Sequence, residues 1–353
     1  MPDTIVEPPP STVPDPTLLG PAGQGPVAPR RGGGAPCLVA ALVTLVVVGG
    51  AMLGLWQWLF RYKPHARAHI PDRTNLAVRI EAADIALFGP ARKHLWPLFD
   101  GPQAVPDAGP AASGPSRRER IRKATGIDLA TDVREIVVAS VDATSWVALV
   151  GGRLAAGRFV DGMAQVFHDE GTTWTKSGEL LVGPGGFALG QADDGTLVLG
   201  TDASIAAAAL PATDSYKRLE LPERGALVFA VTGDAWQGLA RSAGGLPQAE
   251  ALGRVDHATG SLELGSAPRV ELSLRPPAGG DTAALSRDAE TVLAAMRLAT
   301  LLLPDRYGEK EALAKAQVAV EGRAVVVRAP WPVDGLDRAC EALAKLAHPT
   351  TPP

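Results

Sequence analysis

Two stretches decide the fold reading: Ile70-Pro71-Asp72-Arg73-Thr74-Asn75-Leu76-Ala77-Val78-Arg79-Ile80 and Leu221-Pro222-Glu223-Arg224-Gly225-Ala226-Leu227-Val228-Phe229-Ala230-Val231. Pro, Arg and Leu recur at the same places, and Ile/Leu, Asp/Glu and Ile/Val replace like with like. A proline that closes one element just before an apolar strand makes mechanical sense in both copies. The match predicts duplication of an α+β unit, with copies at 70–215 and 216–348.

The sequence around each copy alternates helix and strand signals. Ser116-Arg117-Arg118-Glu119 reads as a capping box whose helix stops at Gly126. Arg134 to Val141 and Trp146 to Gly151 read as Val-rich strands, followed by a helix with Phe159, Met163 and Val166 on one face. Asp193-Asp194-Gly195 and Glu321-Gly322-Arg323 each lie between apolar runs, as hairpin turns do. Leu262 and Leu264, then Val270, Leu272 and Leu274, alternate with polar residues, which predicts antiparallel strands. A long helix is expected over 281–303, and a last one from near Asp334 with Leu336, Ala339, Cys340, Leu343 and Leu346 on its apolar face. The expected fold class is therefore α+β, two related units of antiparallel sheet covered by helices.

The sequence before the first copy is of a different kind. Residues 1–36 hold ten prolines and six glycines and are expected to be a disordered tail. Cys37 to Phe60 is an uncharged run of 24 residues. At ~1.5 Å per residue it reaches ~36 Å, enough to cross a ~30 Å hydrocarbon core. Trp56, Trp58 and Tyr62 beside Arg61 and Lys63 suit a headgroup boundary. The run is too long and too far from the N-terminus for a signal peptide, although Ala66-Arg67-Ala68 resembles a cleavage site. We read 37–60 as a transmembrane helix, 61–69 as a juxtamembrane linker and 349–353 as a disordered C-terminus. The lipid bilayer is then a partner. Gly50 and Gly54 form a GxxxG pair that lets two such helices approach, so a homodimer is an option. Arg61, Lys63, Arg67 and Arg73 outnumber Arg30 and Arg31, which locally favours a cytoplasmic domain. A long domain translocates largely regardless of such charges, so we expect it outside a bacterial inner membrane.

These features carry a resemblance. The apolar anchor, Pro71 with Thr74-Asn75-Leu76, Thr125-Gly126-Ile127-Asp128 with Asp132-Val133, and Asp194-Gly195-Thr196-Leu197-Val198-Leu199-Gly200 are similar to a loose class of bacterial single-pass membrane-anchored α+β proteins of unknown function. The resemblance runs from residue 37 to about 345 and implies no site residues.

Composition narrows the function classes. Thirty-four basic and 38 acidic residues among 353 give a net charge of −4, which argues against a nucleic-acid partner. Two cysteines, Cys37 and Cys340, exclude a disulfide framework and a Cys-rich metal site. No GxSxG, HExxH, SxxK or GxxxxGK[ST] occurs. Gly183-Pro184-Gly185-Gly186-Phe187-Ala188 matches GxGxxA but leads into strand material, so it reads as a turn. His65 and His69 are four apart and read as a hydrated stretch beside the anchor, while His94, His168 and His257 are scattered. Trp146, Trp174, Trp236 and Trp331 read as core residues. No catalytic residue, cofactor or metal site is expected. The one basic run, Arg117, Arg118, Arg120, Arg122 and Lys123, is the candidate binding surface. The leading expectation is a membrane-anchored, non-enzymatic envelope protein that binds or scaffolds a protein partner. The alternative is a carrier or sensor of an apolar ligand in a concave sheet face, or, last, a hydrolase whose site assembles only in the fold.

Overall fold

Strand β1 (Leu76–Glu81) occupies the middle of a sheet of twelve strands, all paired antiparallel. The computed structural model describes residues 64–95, 97, 115–142, 144–242, 254–302 and 304–347. The expected tail, the span at 37–60 with Gly50 and Gly54, and the C-terminus 349–353 lie outside the described residues. Among the described residues no helix is long and apolar enough to cross a membrane.

On one side of β1 the sheet continues through β2 (Val133–Ser140), β3 (Trp146–Gly152), β7 (Leu197–Gly200), β6 (Ala188–Gln191), β5 (Leu180–Val182) and β4 (Thr175–Ser177). On the other it continues through β8 (Leu227–Thr232), β9 (His257–Glu263), β10 (Arg269–Arg275), β12 (Ala324–Pro330) and β11 (Gln317–Glu321). Both halves thus run outward as a strand, a neighbouring hairpin and then a later hairpin entered from its second strand. The first half adds β4 and β5 at its rim. The stretches 70–215 and 216–348 share one continuous sheet.

Helices follow the strands in chain order. They are α1 (Ala82–Leu87), α2 (Gly89–His94), α3 (Arg117–Thr125), α4 (Leu129–Asp132), α5 (Phe159–Asp169) and α6 (Ala203–Ala209) in the first half. In the second half come α7 (Gly233–Ser242), α8 (Thr282–Leu302), α9 (Glu309–Lys315) and α10 (Val333–Ala347). Local chemistry explains their ends. Ser116 Oγ accepts the Glu119 N–H at 3.2 Å, and Gly126 ends α3 in the left-handed region at φ 76°. The Asp202 carboxylate accepts from Ser204 and Ile205 to start α6. Pro184–Gly186 forms a short turn, and a strand rather than a helix follows it, so the GxGxxA stretch is a turn.

Because side chains alternate along a strand, the register sorts the sheet into two faces. The back face carries Ala77, Val137, Ala139, Val147, Leu149, Ala188, Val198 and Ala230, buried under Ile205, Ala206 and Ala209 of α6 with Ala66, Ile70 and Leu219. The front face is covered at its two flanks. Phe159, Met163 and Phe167 of α5 pack with Leu181, Leu189 and Leu197 on one, and Leu285 and Ala289 of α8 pack with Ala258, Leu274 and Val325 on the other. Between them the front face holds Leu76, Val78, Ile80, Ile136, Val138, Leu227 and Phe229, all apolar and only half-buried.

The linker expected at 61–69 is corrected from His65 onward. Ala66–His69 is a 3-10 turn built into the back-face core, because Ala66 and Ile70 find apolar partners there. Trp146, expected in the core, is 37% exposed at the start of β3, edge-on to the exposed Phe187 ring.

Candidate functional site

One partly buried polar constellation is made by residues distant in sequence. His69 is 3% exposed. Its Nδ1 lies 3.0 Å from the Ala209 carbonyl oxygen at the end of α6, so Nδ1 carries the hydrogen and donates. Its Nε2 lies 3.0 Å from Asp194 Oδ2 in the β6–β7 turn. His65 Nε2 stands 3.9 Å from the same oxygen. Asp194 also accepts the Thr196 N–H at 2.9 Å. Burial opposes its charge, but the Thr196 N–H and the His69 ring outweigh that and hold the carboxyl below its ordinary value. Nearby, fully buried Glu135 of β2 accepts the backbone N–H groups of His65 and Ala66, each at 2.9 Å. These bonds join the turn at 66–69 to α6, β2 and the β6–β7 turn. Both ring nitrogens of His69 are occupied by these contacts, so the geometry is that of a structural clasp.

His65 and His69 are therefore not a hydrated stretch. Sequence spacing showed the pair but not its partner, since Asp194 lies 125 residues after His69. The only local sign was Asp193-Asp194-Gly195 as a turn, which placed a carboxylate without saying what it faces.

The other histidines have simple environments. His257 Nε2 donates to the Leu219 carbonyl at 2.9 Å. The His168 side chain is exposed. His94 Nε2 lies 3.1 Å from Asp337 Oδ1, with Lys93 at 3.3 Å from the other oxygen, so these pairs tie α2 to α10. Cys340 on α10 is half-buried, and burial followed by the nearby Asp337 charge pushes its thiol up. Among the described residues no group of three or more His, Cys, Asp or Glu could hold a metal ion.

The basic run on α3 divides. Arg117 and Arg120 both bond Glu170 at the end of α5, and Arg118 forks onto Asp128 at the start of α4. Arg122 and Lys123 are exposed. Three of the five cations thus serve α3–α5 packing and the α4 cap, and two face solvent.

Two clefts border the sheet. One of about 540 Å³ is lined by Glu263, Arg269, Glu311, Pro330 and Trp331. The other, of about 470 Å³, is lined by Ser177, Glu179, Gln191, Asp193 and Leu210. The first is lined mostly by apolar groups, Pro268, Pro332 and Val333 among them, and the second is the more polar. Apart from these clefts, the strands present the half-buried apolar middle of the front face.

No known family model matches the chain, and no curated protein matches its sequence. Among solved structures, TP0453 in crystal form I is similar over 80% of this chain and 98% of its own, at 8% identity and a TM-score of 0.41. So slight a likeness carries no conclusion about this chain.

Proposed function

We propose that this chain is a single-pass, membrane-anchored binding module of a bacterial envelope. In this reading, two related α+β units at 70–215 and 216–348 build one sheet whose front face docks a protein partner. The observation that carries the reading is the central strip Leu76, Val78, Ile80, Ile136, Val138, Leu227 and Phe229, apolar yet only half-buried between the helices on either flank. A strip of this kind suits a broad protein contact better than a small-molecule cleft, because its side chains come from three adjacent strands and form one extended face. The soluble part lies outside the inner membrane in this reading, and residues 37–60 hold it there.

A photo-crosslinking residue at Trp146, on the rim of that face, tests the reading in the native host. The expected result is one discrete adduct with a protein of defined mass. Absence of any adduct at Trp146 and at Ser140 overturns it.

Apolarity on both faces of one sheet also favours the second reading, an apolar ligand held on the front face. That reading expects a hydrophobic small molecule to co-purify with the full chain and to be lost from a Val138→Asp variant that keeps its circular dichroism.

A further inference from the structure

The strand ends divide the exposed apolar side chains unequally. Call the end holding Glu81, Glu135, Gly151 and Pro330 the lower end, and that holding Asn75, Ser140, Thr232 and Arg275 the upper. The register puts the first set together and the second set together. The chain arrives at the lower end, since Glu135 binds the backbone N–H of His65. Helix α8 starts beyond Arg275 at the upper end and runs down. Its Arg297 guanidinium donates to the carbonyls of Leu313 and Ala316, just ahead of β11. Its last two turns therefore reach the lower end, where Leu298, Leu301 and Leu302 are 66%, 71% and 89% exposed. Spaced i, i+3 and i+4, they share one helix face. Helix α10 starts at the same end after Pro330, is seated on α2, and leaves Leu343 and Leu346 exposed. Leu87, Leu129 and Tyr307, all exposed, belong to α1, to α4 and to the loop that receives the Trp331 indole N–H, each adjoining a lower strand end. Trp146, Phe187 and Val320, also exposed, lie elsewhere.

We propose that the lower end rests on the lipid bilayer, with the leucines of α8 inserted at the headgroup level. The proposal rests on reading residues 37–60 as the span. Four residues, Arg61 to Pro64, separate Phe60 from His65. Fully extended, that connection reaches only ~18 Å at ~3.5 Å per step. His65, and the strand ends around it, are thereby confined to the neighbourhood of the headgroups. An interfacial helix buries its apolar face ~5–10 Å into that zone. The outward side of the α8 terminus suits this, since the one charge between Ala294 and Leu302, on Arg297, is spent on backbone carbonyls. Lipid is the occupant that the tether holds permanently within reach.

The test uses the full chain with Cys37→Ser and Cys340→Ser, reconstituted in phosphatidylcholine vesicles. A single cysteine is placed at Leu302 (L302C) or, at the upper end, at exposed Ala278 (A278C), and labelled with an environment-sensitive fluorophore. Nitroxide lipids should quench the Leu302 label about twofold or more over the Ala278 label, with a blue-shifted emission. Equal weak quenching at both sites, in protein that withstands carbonate washing, overturns the proposal and leaves the anchor standing. A blue shift without nitroxide quenching means a second copy or another protein covers the leucines, and also overturns it. Release of the chain by carbonate overturns the anchor reading, and this proposal with it.

Discussion

Val78 and Phe229 stand directly opposite each other across β1 and β8, and each is the ninth residue of its copy of the repeated stretch. In an antiparallel pair made of two equivalent strands, only the residue on the two-fold axis faces its own counterpart. All other pairings exchange counterparts, as where Leu76 faces Val231 and Ile80 faces Leu227. A slip of one residue would destroy this relation and move every apolar side chain to the other face. The register thus supports the proposal that 70–215 and 216–348 are related units joined about that pair.

The same pair explains an absent side chain. Phe229 faces Gly260 on its other side, and a Cβ there would stand 2.6 Å from the ring Cζ. Gly260→Ala should cost ~1–3 kcal/mol as an overpacking change. The denaturant midpoint should fall with the slope unchanged. Phe229→Leu in the same chain should restore some of the loss. A neutral Gly260→Ala would mean that the ring swings aside freely.

Glu81 faces Glu135 across β1 and β2. Burial is the main reason its carboxyl is raised above the ordinary value, with Glu135 and Asp84 adding to it against Arg79 and Arg134. An acid that is harder to ionise in the folded state destabilises that state once charged. The cost is absent below its unfolded value of ~4.3 and grows as pH rises through the folded one. Glu81→Gln should therefore stabilise the protein at pH ~7 by about 0.5 kcal/mol and be neutral near pH ~4. Thermal unfolding at the two pH values decides it, and a variant less stable at neutral pH contradicts the argument.

Asp194 has the opposite sign. Its lowered carboxyl contributes stability that is present above the unfolded value of ~3.9 and is lost as pH falls through the folded one. Asp194→Asn should cost about 1 kcal/mol at neutral pH, the scale of one partly exposed hydrogen bond. The gap from wild type should then close on acidification below pH ~4. Amide exchange should quicken at Ala66 and His69, because the clasp holds that turn. A gap that stays constant down to pH ~2 would show that the charge of Asp194 is not what matters.

Local chemistry was legible in the sequence wherever both partners lie within a turn of each other. The Ser116–Glu119 cap, the left-handed Gly126, and the turns at Gly195 and Gly322 all have their cause within four residues. The α+β class and the antiparallel strands followed from period-two alternation in the same way. The clasp did not, because His69 reads as a polar residue beside a cationic stretch until the fold brings Asp194 and Ala209 to it. Nor did the sharing of the basic run, since Glu170 is 50 residues from Arg120. The stripe Leu336, Ala339, Cys340, Leu343 and Leu346 lies along α10, as its spacing predicts. Its burial does not follow from that spacing, as Leu343 and Leu346 remain exposed. Periodicity tells which residues share a face and says nothing of what lies against that face.

The seat of α10 gives the sharpest single-atom test. Gly335 lies so close to the 304–308 loop that a Cβ would fall on the Tyr307 carbonyl oxygen, with Tyr307 C at 2.7 Å and Gly308 Cα at 3.1 Å. That carbonyl already accepts the Trp331 indole N–H at 2.8 Å, and Arg338 donates to the Arg306 carbonyl at 2.6 Å, so the loop has little room to retreat. The obstacle is backbone, and Gly335→Ala must move the first turn of α10. Asp337 and Cys340 then shift together, and the contacts of Asp337 with His94 and Lys93 weaken. In the native seat, burial and Asp337 keep the Cys340 thiol protonated, so alkylation of a Cys37→Ser chain at pH ~7.5 should be slow. Gly335→Ala should speed that alkylation severalfold at unchanged pH, and Gly335→Ser should do the same. Asp337→Asn separates the two causes, since it removes the charge beside the thiol and leaves the glycine in place. It should speed alkylation through the thiolate fraction, and the gain should persist at the ~8.5 of a free thiol, because burial still holds this thiol above that value. If Gly335→Ala leaves the rate at the wild-type value, α10 is not held by this contact.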